Sequence, residues 1–111
     1  MNEQLPARED QIQGILDPDE EVHARARSTD GLVAVTDRRL LVAANNRVAL
    51  DVTIDRIRRI QFDIERARPA TLVIVPEHPK DEPQVLSIPP EEYAATAQAL
   101  AIIGQRLAHQ P

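Results

Sequence analysis

Four acidic side chains crowd one short stretch of the chain, Asp17, Asp19, Glu20 and Glu21. Several carboxylates on one loop are what a calcium ion requires. The stretch has no glycine at its turn and lacks the twelve-residue alternation of a calcium-binding loop, so it is expected to be a plain acidic loop. His23, His78 and His109 have neither the close helical spacing nor the neighbouring carboxylates of a zinc site. No metal or other cofactor is expected. Ser28 and Ser87 are the only serines, no Gly-x-Ser-x-Gly elbow surrounds them, and no cysteine replaces them as nucleophile. Gly14, Gly31 and Gly104 lie too far apart to cradle a phosphate. A carboxylate-based site would have to use Asp51, Asp55 or Asp63, which alternate with apolar residues on strand-like segments, where their ordinary role is solubility. The chain is therefore expected not to be an enzyme, with a small carboxylate-based enzyme as the least favoured alternative.

The basic residues point elsewhere. Arg25 and Arg27 stand on one face of a strand-like stretch, and Arg47 and Lys80 lie at or beside predicted turns. Their charges can be weighed against those of their neighbours. Asp30, Glu77, Asp81 and Glu82 share the same loops and offset their field. The whole chain of 111 residues carries 13 basic and 18 acidic side chains, a net charge of -5. That charge repels phosphate at long range, and Phe62 and Tyr93 are the only aromatics available for stacking, so nucleic acid is excluded as an expected partner. No apolar run approaches the ~20 residues of a membrane span, and the first ten residues lack the basic-then-apolar pattern of a signal peptide. A cytoplasmic location is the expectation.

These residues need elements to hold them. Leu5, Ile12 and Leu16 can share one face of a short N-terminal helix, ended by Asp17-Pro18-Asp19. Val22, Ala24 and Ala26 then alternate with His23, Arg25 and Arg27, as in a half-buried strand. Gly31 to Thr36 and Arg39 to Ala43 form two apolar, β-branched runs joined at Asp37-Arg38, a predicted hairpin. Asn45-Asn46 supplies the next tight turn because asparagine tolerates positive φ. Val48, Leu50, Val52 and Ile54 mark strand four; Ile60, Phe62 and Ile64 strand five; Thr71 to Val75 strand six; and Gln84 to Ile88 strand seven, after a proline-rich loop. Pro89-Pro90-Glu91-Glu92 starts a helix running to about Ala108, since proline suits a first turn and carboxylates complement the dipole there. On the helical wheel Tyr93, Thr96, Ala97, Leu100, Ile103, Gly104 and Leu107 share one face. The predicted core comprises Val33, Val35, Leu50, Val52, Ile54, Ile60, Phe62, Ile74, Leu100 and Leu107.

Three segments carry a family likeness: Leu16 with Asp19-Glu20-Glu21-Val22, then Val33 to Leu41 with Thr36-Asp37-Arg38-Arg39-Leu40 at its hairpin, then Val52-Thr53-Ile54-Asp55-Arg56-Ile57. Together they resemble a bacterial pleckstrin-homology-like (PH-like) domain, in which an acidic-Val segment opens strand one, a Thr-Asp-Arg-Arg-Leu hairpin joins strands two and three, and an Ile-x-x-Ile step follows strand four. The resemblance spans Leu16 to about Leu107. It implies a mainly β fold with a C-terminal α-helix: a seven-stranded antiparallel barrel or roll capped by that helix. Residues 1-15 are expected to form a separate N-terminal segment, a short helix or partly disordered, and residues 16-111 the PH-like domain.

With no catalytic inventory and no focused positive field, the expectation is a non-catalytic binding or scaffolding module of this PH-like type, acting through protein–protein contacts. Weak binding of anionic lipid or a membrane surface is the alternative, for which the resemblance implies Arg25, Arg27, Arg47 and Lys80 as the candidate contacts for an anion or a lipid head group. Self-association is a further expectation, with Ala95, Ala99, Ile102 and Arg106 placed by the wheel on the outward side of the helix as the candidate interface.

Overall fold

The computed structural model describes residues 7–109, with side chains from Asp10 onward. Leu5, expected on the first helix, lies outside the described residues. Helix α1 spans Ala7–Gln13, and seven strands follow: β1 Val22–Arg27, β2 Gly31–Thr36, β3 Arg39–Ala44, β4 Arg47–Thr53, β5 Ile57–Asp63, β6 Ala70–Pro76 and β7 Gln84–Ile88. A 3-10 turn, Pro90–Glu92, leads into helix α2, Tyr93–Ala108. The strands form two antiparallel sheets, β1-β2-β3-β4 and β5-β6-β7.

Period-two patterning accounts for most of the inner core. Val33, Val35, Leu50, Val52, Ile54 and Ile74 are buried as expected, and Ile60, Phe62, Leu100 and Leu107 pack against them partly exposed. Asn45 and Asn46 take φ of 55° and 62°, the left-handed pair that a two-residue hairpin turn needs. Two boundaries differ from expectation. Ile54 lies not in β4 but in a 3-10 turn, Ile54–Arg56, that redirects the chain from one sheet to the other. Strand β5 begins at Ile57, three residues before Ile60, and stops at Asp63, leaving Ile64 57% exposed.

A second cluster covers the opposite face of the larger sheet: Leu32, Ala34, Leu41 and Ala43 pack with Ile12 of α1, flanked by Ile15, Leu16 and Val22. The N-terminal helix is thus packed onto the sheet. Where β2 meets β3, a Cβ added to Gly31 would sit 2.7 Å from the Ala43 carbonyl oxygen, a backbone atom with nowhere to move. Gly31→Ala is expected to lower stability by about 1–3 kcal/mol through overpacking, checked by urea denaturation.

Helix α2 corrects the wheel. Its buried residues are Thr96, Ala99 and Ile103, while Ala97 and Gly104 are exposed. Small side chains at 96 and 99 let the helix approach closely, and the Thr96 hydroxyl is satisfied by donating to the Glu92 carbonyl at 2.8 Å. The candidate interface therefore does not face outward. Ala99 is buried, Ile102 packs against the core, Ala95 is half-buried, and Arg106 reaches inward to donate to the Thr36 carbonyl. The wheel failed because a helix rich in alanine offers several apolar arcs, and the docking partner selects among them.

Candidate functional site

The Thr-Asp-Arg-Arg hairpin holds a dense cluster of side-chain hydrogen bonds. Thr36 ends β2 with its hydroxyl turned to the hairpin, where it accepts the backbone N–H groups of Arg38 and Arg39, each at 3.0 Å. The same hydroxyl donates to Glu20 Oε2 at 2.6 Å. Arg39 grips Glu20 with two bonds, Nε to Oε2 at 2.9 Å and Nη2 to Oε1 at 2.7 Å, and also donates to the Ile15 carbonyl at 2.7 Å. Its remaining nitrogen spans both oxygens of Asp51 on β4, at 3.0 and 3.2 Å. One guanidinium thereby ties the N-terminal segment to two strands.

Glu20 has a side chain with no solvent exposure, and a lone buried carboxylate would be raised in pKa. The paired Arg39 guanidinium reverses that effect, helped by the Thr36 hydroxyl and the Asp17 N–H, and holds the carboxyl at about 2. Arg39 in turn is pushed above its ordinary value, first by its hydrogen bond to Glu20. Arg38 points the other way, to Asp17 at 2.8 Å and Asp19 at 2.9 Å, on the exposed rim. Asp37 accepts the Glu21 N–H at 3.0 Å, and its own N–H donates back to the Glu21 carbonyl at 3.0 Å. Three of the four acidic residues of the candidate calcium loop, Asp17, Asp19 and Glu20, are thus neutralised by Arg38 and Arg39. Among the described residues no group of three or more His, Cys, Asp or Glu side chains could hold a metal ion.

An open cleft of about 340 Å³ adjoins this cluster at the foot of β4, shares Asp51 with it, and is lined besides by Val52, Thr53, Arg56, His78 and Asp81. Its polar groups are largely bonded to one another or to near neighbours. Asp51 is held by Arg39, the Thr53 hydroxyl donates to Asp55 at 2.6 Å, Arg56 pairs with Glu77 at 3.5 Å, and His78 Nδ1 accepts the Lys80 N–H at 3.0 Å. With carboxylates and cations interleaved, the cleft focuses no field of one sign.

The four candidate anion contacts do not converge. Arg25 and Arg27 lie on the exposed side of β1, and both are engaged in interactions within the protein. Arg47 opens β4 at the same end of the sheet as Arg27, but β1 and β4 are the two outer strands of four, which separates them by roughly 14 Å at the usual strand spacing. Lys80 belongs to the loop whose His78 and Asp81 line the cleft beside Thr53, six residues or roughly 20 Å along β4 from Arg47. The Glu20–Thr36–Arg39–Asp51 cluster is absent from the sequence-based expectations. Its signal lies in two motifs, the acidic segment and the doubly basic hairpin, whose mutual contact no local pattern reveals.

No family model matches the chain, and no curated protein does. The structure is similar to the crystal structure of a pleckstrin homology domain from Shewanella amazonensis SB2B, with a TM-score of 0.55 and 17% sequence identity over 78% of this chain and 85% of that one. That likeness agrees with the seven antiparallel strands in two sheets and the C-terminal helix seen here, the element order expected from the sequence. The chain has a pleckstrin-homology-like fold.

Proposed function

We propose that the chain is a non-catalytic binding module of PH-like type whose partner is a protein surface. The observation that carries this reading is the uncovered outer face of the β5-β6-β7 sheet. The larger sheet is packed in its centre on both faces, whereas β6 turns Thr71, Val73 and Val75 outward half-exposed. Val85 beside Val73 on β7 is 69% exposed, and Ile64 follows β5 at 57%. These are the two large apolar side chains with the greatest exposure among the described residues, and both adjoin this sheet. An apolar row of this kind, edged by polar side chains, suits a protein partner.

Dispersed cations argue against the lipid alternative, because a head group is held by several positive side chains acting at one point. Among the described residues no helix is long and apolar enough to cross a membrane. Cosedimentation with vesicles of phosphatidylcholine, with and without phosphatidylserine, tests this at low salt. The protein is expected to stay in the supernatant with both. Pelleting that requires the anionic lipid and is lost in the Arg25→Glu, Arg27→Glu double variant overturns the reading in favour of lipid, since such attraction is charge-specific and screened by salt.

A further inference from the structure

The outward row of β5 runs cation, amide, anion: Arg59, Gln61, Asp63. Arg59 Nη1 donates to Gln61 Oε1 at 3.4 Å, and Gln61 Nε2 donates to Asp63 Oδ2 at 2.9 Å, so the three side chains are aligned along one face. Among the described residues β5 is also an outer strand, hydrogen-bonded to β6 alone. We propose that β5 pairs antiparallel with β5 of a second copy of this chain, on a twofold axis through Gln61, joining two three-stranded sheets into one of six. This deepens the binding-module reading by naming a second copy as a partner, bound at the edge of the same sheet rather than on its apolar face, and it rests on that reading.

The residues commit the pairing to self rather than to a different chain. Inverting the row about Gln61 sets Arg59 opposite Asp63 of the second copy and Asp63 opposite its Arg59. Two ion pairs then form directly across the strands, with the two Gln61 amides facing each other at the centre. Directly opposite charges of unlike sign stabilise a cross-strand pair, and a twofold contact requires a self-complementary surface. On the inner face the same register sets Ile60 opposite Phe62 of the second copy. Both side chains point to the core yet stay only partly buried, as expected of side chains left at an open edge.

The other three outer strands are defended. Helix α2 packs along β1, and the register of β4 shifts at Ala49. Strand β7 is short, is followed by Pro89 and Pro90, and has its Ser87 carbonyl taken by the Thr29 N–H. Bulges, prolines and covering elements are the usual protections of an edge. In β5 the irregularity lies at Arg58, before the proposed ladder begins, and Arg59 to Asp63 pair regularly with Val75 to Thr71 of β6. No proline and no inward charge interrupts those five residues.

Sedimentation velocity on the full chain from 10 µM to about 1 mM tests the proposal, with far-UV circular dichroism confirming that each variant is folded. The wild type is expected to show a dimer that grows with concentration. Asp63→Arg, which sets arginine against arginine twice, and Arg59→Asp, which sets aspartate against aspartate, should each raise the dimer dissociation constant roughly tenfold or more. The double variant Arg59→Asp, Asp63→Arg restores both pairs with their signs exchanged and should return to within about threefold of wild type. Hydrogen exchange on the wild type gives a second readout free of folding effects: amides between 59 and 63 that point away from β6 should gain protection on concentration. A monomer at 1 mM, dimerisation indifferent to either single reversal, or a folded double variant that does not recover each overturns the proposal. The vesicle result is independent of all three, so loss of the self-pairing and loss of the protein-binding reading are told apart.

Discussion

Arg39→Met is expected to destabilise the protein by about 3–5 kcal/mol, because it leaves the Glu20 carboxylate buried without its cation. The lost guanidinium also frees the Ile15 carbonyl and one face of Asp51, so the N-terminal segment loosens along with the hairpin. Glu20→Gln should cost less, since the amide still fills the space and can accept from Thr36 and Arg39. The two variants part company with pH. A Glu20 carboxyl lowered from 4.5 to about 2 binds fewer protons in the folded than in the unfolded chain across that interval. Its contribution to stability is therefore complete above pH 4.5 and is lost as pH falls toward 2. The shift corresponds to roughly 2–3 kcal/mol once solvent screening from the exposed Asp51 side is discounted. Urea denaturation from pH 7 to pH 2 should show the wild type losing this increment on the acid side, whereas Glu20→Gln should show a shallower acid limb. Equal acid limbs in the two proteins would mean that Glu20 is not held ionised by Arg39.

Leu41→Ala should be as costly as Leu40→Ala, about 2–5 kcal/mol each, although the two side chains point to opposite faces of β3. Both are fully buried: Leu40 within the inner core, and Leu41 beneath α1 beside Ile12, Leu32 and Ala43. A solvated outer face would make Leu41→Ala nearly neutral. Ile12→Glu, which places a charge in that cluster, should destabilise in parallel and shift α1 away from the sheet, visible as faster hydrogen exchange in β2 and β3 amides. A loss under 1 kcal/mol for Leu41→Ala, measured by chemical denaturation at pH 7, would show that the outer cluster does not contribute to the folded state.

Segments whose folding is local were legible from residue order. Alternation at Val48 to Val52 marks a strand because successive side chains of an extended chain point to opposite faces, whatever the strand pairs with. Asn45-Asn46 marks a turn because these side chains tolerate positive φ, and Pro90-Glu91-Glu92 marks a helix start because of ring geometry and dipole. The unbroken apolar runs Gly31 to Thr36 and Leu40 to Ala44 also held a signal of burial on both faces, since a strand with one wet face alternates. Which element would cover the outer face was not in the runs themselves.

Contacts across the fold were decided only by tertiary structure. Glu20 and Arg39 are 19 residues apart, and Thr36 and Arg106 are 70 apart. Nothing in either pair's own neighbourhood names its partner. The phase of α2 depended on the surface it met: Ala99 became buried and Ala97 exposed because β1 and the 3-10 turn lie on one side of the helix, a fact foreign to the helix's own sequence. Likewise the dispersal of Arg27, Arg47 and Lys80 follows from strand order, which sets β1 and β4 at opposite edges and carries the β6–β7 loop to the foot of β4. The sequence by itself determined where the chain extends, turns and coils, because those choices follow from stereochemistry within a few residues. Tertiary structure decided which charges meet, which helix face is buried and which strand edge stays open, because those outcomes depend on the whole chain's path.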